Sequence, residues 1–159
     1  MLIALEGCDA TGKTTLAKLL AKLYNAEVVH CTTETPNTYK FFSELLYAAD
    51  RGNIICDRFC YGQFVYQDEG DRPLALHKRY TVGGDADGTY VDNSWEALTE
   101  LEIEMIRQGA KVIYTWANPN TIADRMISRG ENPKDVGRIL KGYEDLWSRT
   151  LIQPVVFKT

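Results

Sequence analysis

Apolar residues recur along the chain with two alternating periods. Short runs at 2–6 (LIALE), 26–31 (AEVVHC), 53–57 (NIICD), 111–117 (KVIYTWA) and 152–157 (IQPVVF) have the length and texture of strands buried on both faces. Between them the period lengthens to that of a helix. In 12–24 the residues Leu16, Leu19, Leu20 and Leu23 share one face, and over about 38–51 Phe41, Phe42, Leu45, Leu46 and Ala49 form a stripe that Gly52 ends. Further helices are predicted near Cys60, from Ser94 as N-cap to Gln108 with Gly109 as stop, over about 119–129, and over about 133–149. Residues 68–93, rich in Asp and Gly, fit neither period and read as an irregular insertion; a stretch beyond ~12–15 residues is often functional or mobile.

Short strands alternating with amphipathic helices call for right-handed crossovers. They predict an α/β fold, a doubly wound five-stranded parallel sheet with helices on both faces, in a single domain over 1–159. Ligands of such sheets bind beyond the carboxyl ends of the strands. Composition fits this picture, with 45% hydrophobic and 25% charged residues. A net charge of -4 argues against a nucleic-acid partner, which would need a basic stripe, but leaves room for a small anionic ligand held by a few aimed groups. The opening Met-Leu-Ile-Ala-Leu-Glu reads as a strand rather than a signal peptide, and no apolar run approaches the ~18 residues of a membrane span. A cytoplasmic protein without a membrane partner is expected, and a homodimer is compatible with this sequence. Cys8, Cys31, Cys56 and Cys60 contain no CxxC pair and read as reduced thiols, with a zinc set including His30 as the alternative.

Between the first strand and the first helix, Gly7-Cys8-Asp9-Ala10-Thr11-Gly12-Lys13-Thr14 matches G-x-x-x-x-G-K-[ST] in full. Glycines let the backbone wrap a phosphate, and successive amides form an anion nest at a helix N-terminus. Lys13 would hold the β- and γ-phosphates of ATP, Thr14 would ligate Mg²⁺, and Thr15 follows in the first helical turn. Such a loop specifies a nucleotide, not a reaction: switch GTPases, ATPases and small-molecule kinases all own one. No N-K-x-D guanine reader is present, since Asn132-Pro133-Lys134-Asp135 has the wrong order. At the end of the third strand, Asp57 could bind Mg²⁺ or its water, or form a strand-end ion pair. Beside it Arg58 supplies a bidentate fork suited to a second phosphate.

Three segments in order carry a family resemblance. LIALEGCDATGKTTLAKLLA resembles the opening of the thymidylate kinase family, NIICDRFCYGQFVYQ its V-I-x-D-R-[YFH] segment, and VIYTWANPNTIADRMISRGE its later strand and arginine-bearing lid. The resemblance implies a P-loop kinase fold with a short helical lid over about 119–138. It implies that Asp9 faces the sugar 3′-hydroxyl and acceptor phosphate, that Arg58 binds that phosphate, and that Phe59 and Gln63 lie with the substrate, Gln63 near the base. Tyr66 would pack under the sugar and exclude a 2′-hydroxyl. Ala10 stands where some members carry an arginine, so the transition-state cation falls to Arg125 and Arg129 of the lid, whose bland reading is a solvated basic helix face. Tyr47 and Arg51 keep the aromatic-x-x-x-Arg spacing that reads thymine; alternatively Tyr47 is core and Arg51 a helix-end cation. Three features depart from the family. Thr32-Thr33-Glu34-Thr35-Pro36 lacks its arginine, Gly62 replaces a serine, and only Gly52-Asn53 separate the base-reading helix from the D-R strand. The insertion either supplies Arg72, Lys78 and Arg79 to the acceptor pocket or is a surface loop. The expected activity is an ATP–Mg²⁺-dependent deoxynucleoside monophosphate kinase favouring dTMP, with a deoxynucleoside kinase and a non-catalytic nucleotide-binding regulator as alternatives.

Overall fold

A computed structural model describes residues 1–32, 35, 39–66 and 94–159. The insertion with Arg72, Lys78 and Arg79, and the positions Thr33, Glu34 and Pro36, lie outside the described residues. Elements run in the order β1 (Leu2–Glu6), α1 (Lys13–Tyr24), β2 (Glu27–His30), α2 (Tyr39–Ala49), β3 (Ile54–Asp57), α3 (Gly62–Val65), α4 (Ser94–Arg107), β4 (Lys111–Trp116), α5 (Pro119–Ile127), α6 (Val136–Trp147) and β5 (Val155–Lys158). The five strands are parallel in the order β2-β3-β1-β4-β5.

The paired inner strands β1 and β3 show why a continuous apolar run was needed. Leu2, Ala4, Ile54 and Cys56 point into one core, with Phe42 and Leu46 of α2, Leu98, Leu101 and Met105 of α4, and Tyr143, Leu146 and Trp147 of α6. Their alternates Ile3, Leu5 and Ile55 point the other way, onto Ala17, Leu16 and Leu20 of α1. Both faces of the sheet are therefore covered, as parallel sheets require. The edge strands β2 and β5 are largely exposed.

The last strand begins three residues later than its hydrophobicity predicts. Glu102, buried on α4, accepts hydrogen bonds from Leu151 N–H (2.9 Å) and Ile152 N–H (3.2 Å), so those amides serve a turn rather than a ladder. Pro154 then has no amide to offer. Among the described residues no helix is long and apolar enough to cross a membrane, and all four cysteines are buried and free.

Candidate active site

The glycine loop joins β1 to α1 at the carboxyl edge of the sheet. Gly7 adopts φ 140°, where a methyl group would run into the Thr115 carbonyl and lie 2.6 Å from the Thr115 hydroxyl at the end of β4. Ala10 takes φ 60° and Gly12 φ 84°, left-handed turns that curl the chain before α1 starts. Thr11, fully buried, holds this curl by donating from Oγ1 to the Cys8 carbonyl (2.7 Å) and pairing with Thr115 Oγ1 (2.7 Å). Lys13 folds back into the loop, its Nζ donating to the carbonyls of Gly7 (2.9 Å) and Cys8 (2.7 Å). Only 6% of it is exposed, and burial lowers its ammonium from 10.5 to about 8, with the Arg58 charge acting in the same direction. Burial also pushes the Cys8 thiol up to about 11, so this residue offers the loop its backbone and no thiolate. Thr15 is exposed on the first turn of α1.

Asp57 ends β3 directly below this loop and is 1% exposed. Its Oδ2 accepts from the Thr14 hydroxyl (2.6 Å) and hydrogen-bonds His30 Nδ1 (2.9 Å). Its Oδ1 is buried without a hydrogen-bond partner among the described residues. A buried carboxylate oxygen left free beside a threonine hydroxyl is a hard-donor set, and it fits Mg²⁺. His30 was not foreseen here: its imidazole reads as a spare zinc ligand in the sequence, whereas the β2–β3 register sets it opposite Asp57. Its place near the carboxyl end of the second expected strand was the available signal.

Arg58 sits at φ 73°, uncommon for a residue with a side chain. Its N–H donates to Leu5 O (3.0 Å), and the next amide, Phe59 N–H, donates to Glu6 Oε1 (2.8 Å). The guanidinium turns toward the glycine loop, where it pairs with Asp9, and its carbon lies 5.2 Å from the centre of the Tyr66 ring. Tyr66 and Gln63 are half-buried at α3, and the Tyr66 hydroxyl has no hydrogen-bond partner among the described residues. From α5, whose start is set by Asn118 Oδ1 accepting from Asn120 N–H and by Pro119 in the first turn, Arg125 reaches back. Its Nη1 donates to Ala10 O (3.1 Å) and Thr159 Oγ1 (3.2 Å).

Four of the expected residues are placed elsewhere. Arg129, one turn beyond Arg125, is exposed and lies 3.8 Å from Glu131. Phe59 is 1% exposed and packs edge-on against Phe42 with ring centres 4.8 Å apart, so its side chain is core and only its amide belongs to the site. Tyr47 and Arg51 are at the opposite edge of the sheet. The Met1 ammonium donates to Ala49 O (2.7 Å) and Gly52 O (2.9 Å), which fixes the end of α2 beside the start of β1. With only Gly52-Asn53 before β3, the helix must finish where β3 begins, a full strand length from the glycine loop. There Tyr47 is 62% exposed and stacks with Arg51, whose guanidinium carbon is 4.4 Å from the ring centre.

Comparison with known proteins bears on this arrangement. No family model matches the chain. Over 157 residues it is 29% identical to the SPbeta prophage-derived protein YorR of Bacillus subtilis (strain 168), spanning 92% of this chain and 82% of that one. Its fold is similar to the crystal structure of YorR in complex with phosphorylated GDP, with a TM-score of 0.72 and 24% identity over 100% of this chain and 85% of that one. It is also similar to deoxyadenosine kinase from M. mycoides with bound dCTP (TM-score 0.53, 16% identity, 100% and 89% covered). A gluconokinase from Sinorhizobium meliloti 1021 follows (TM-score 0.52, 11% identity, 98% and 81% covered). The parallel sheet and its helices are those of the P-loop kinase fold.

Proposed function

We propose that this chain transfers the γ-phosphoryl group of ATP to a deoxynucleoside monophosphate, dTMP foremost, giving the diphosphate and ADP. One observation carries the reading: the Arg58 guanidinium, held in a left-handed turn, meets Asp9 of the glycine loop, so a second anion-binding group stands against the first. In this reading the loop amides and Lys13 hold the donor phosphates. Thr14 and Asp57 hold Mg²⁺, which would neutralise charge on the phosphate oxygens. Arg58 exchanges Asp9 for the acceptor phosphate as a bidentate fork, and Asp9, freed, orients the sugar. Arg125, already against the loop at Ala10, is the cation for charge developing on the transferring group, and Arg129 would join it only with a shift of the turn after α5. Tyr66 and Gln63 line the acceptor side, where the stacked ring disfavours a 2′-hydroxyl.

The nucleotides bound to the similar structures, phosphorylated GDP and dCTP, support a nucleotide ligand in general terms. A deoxynucleoside acceptor is the second reading, favoured by the likeness to a deoxyadenosine kinase. A coupled assay of ADP release over the common nucleosides and their monophosphates separates the two. Turnover is expected with deoxynucleoside monophosphates; turnover with thymidine and not with dTMP overturns the proposal, and nucleotide binding without acceptor-dependent ADP release would make the chain a regulator.

A further inference from the structure

Glu6 is the last residue of β1, immediately before the glycine loop, and is fully buried. Burial raises its pKa, against the opposing pull of its hydrogen bonds and of Arg58 and Lys13. A carboxyl in such a place needs a structural reason. Both its oxygens are engaged, Oε1 by Phe59 N–H (2.8 Å) and Oε2 by the Tyr143 hydroxyl (3.0 Å). The Tyr143 hydroxyl in turn lies 3.4 Å from Gly7 O.

These contacts converge on the peptide that aims Arg58. Its left-handed φ of 73° would relax toward an ordinary conformation unless both flanking amides were gripped, and they are: Arg58 N–H by Leu5 O, Phe59 N–H by Glu6. The space is shared tightly. A methyl group on Gly62 would lie 3.3 Å from Glu6 Oε2, 3.3 Å from the Tyr143 hydroxyl and 3.9 Å from Arg58 Nη1. A side chain at position 62 would compete with Tyr143 for Glu6, so the glycine there leaves room for the carboxyl–tyrosine bond. Tyr143 belongs to α6, the helix entered directly after the turn that follows α5.

We propose that Glu6 is a positioning residue for the acceptor phosphate: it locks Arg58 in its left-handed turn through Phe59 N–H, and through Tyr143 it ties that aim to α6. This rests on the reading of Arg58 as the acceptor-phosphate ligand. The test measures KM for the acceptor and for ATP, and kcat, in Glu6→Ala, Glu6→Gln, Arg58→Ala and the Glu6→Ala/Arg58→Ala double variant. Glu6→Ala is expected to raise the acceptor KM roughly 10-fold or more while the ATP KM stays within about twofold, since releasing backbone strain of this kind disturbs only what it aims. Glu6→Gln restores most of the loss, because its amide oxygen can accept from Phe59 N–H and its amide nitrogen can donate to Tyr143. In the Arg58→Ala background Glu6→Ala adds nothing further to the acceptor KM, the non-additivity expected of a residue acting through another.

Equal rises in both KM values, or a full additional effect without Arg58, would make Glu6 a packing residue and overturn the proposal. Should Glu6→Ala fail to fold, Glu6→Asp, one methylene too short to reach Phe59 N–H, takes its place under the same criteria. If Arg58→Ala raises the acceptor KM and the Glu6 variants do not, this inference alone fails. If Arg58→Ala leaves the acceptor KM unchanged, the functional reading fails and takes the inference with it.

Discussion

Raising the pH through 8 removes the proton from Lys13 in the free protein, where burial has brought its ammonium down from 10.5 to about 8. Phosphate oxygens placed against Nζ restore the charged form, so capture of a nucleotide above this pH takes up a proton. About half a proton enters per nucleotide at pH 8, and roughly 0.9 at pH 9. The association constant then falls about tenfold per pH unit above 8, toward a ceiling of roughly 300-fold, or about 3 kcal/mol. Titration calorimetry of ATP–Mg²⁺ in paired buffers of different ionisation enthalpy counts the protons directly. ATP itself is fully ionised at these pH values and adds no competing term. On folding the same shift has the opposite consequence. Because the folded pKa lies below the unfolded one, the cost of the buried ammonium is complete below pH 8 and fades as pH rises toward 10.5. Proton uptake near zero at both pH 8 and pH 9 would refute the argument that Lys13 is desolvated in the loop and recharged by phosphate.

Three further outcomes follow from the geometry. Gly7→Ala combines a left-handed backbone with a methyl group driven into Thr115, and is expected to lose ~2–5 kcal/mol of stability by chemical denaturation. Asp57→Asn keeps the hydrogen bond from Thr14 but removes the charge beside the free Oδ1 oxygen; kcat/KM is expected to drop by roughly 100-fold, with the Mg²⁺ dependence moved to higher concentration. Tyr47→Ala is expected to leave acceptor KM and base preference within about twofold of wild type, because the ring is largely exposed, against Arg51, at the far edge of the sheet.

The strands that lead into the glycine loop and into Arg58 were legible because β1 and β3 are buried on both faces and so write unbroken apolar runs. The loop itself was legible because its glycines answer to backbone geometry that few residues can adopt. What sequence spacing could not convey was distance in space. Tyr47 and Arg51 keep a base-reading interval, yet a two-residue link to β3 carries them to the wrong edge. Phe59 sits in the segment that resembles the family's D-R motif, while its ring fills the core beside Phe42. His30 was weighed only as a zinc ligand and Glu6 only as the polar end of a strand, because the sheet register alone brings His30 to Asp57 and the α6 packing alone brings Tyr143 to Glu6. The late start of β5 was hidden because Glu102, the acid that captures the amides of Leu151 and Ile152, lies about fifty positions earlier.

The proposed transfer requires two phosphate sites that face each other closely enough to share one transferring group. Affinity for a dinucleoside pentaphosphate, which spans donor and acceptor in one molecule, tests it most directly. Binding is expected to be ~100-fold or more tighter than that of ATP alone, with most of that gain lost in Arg58→Ala. Affinity no better than that of ATP, or a gain indifferent to Arg58, would contradict it.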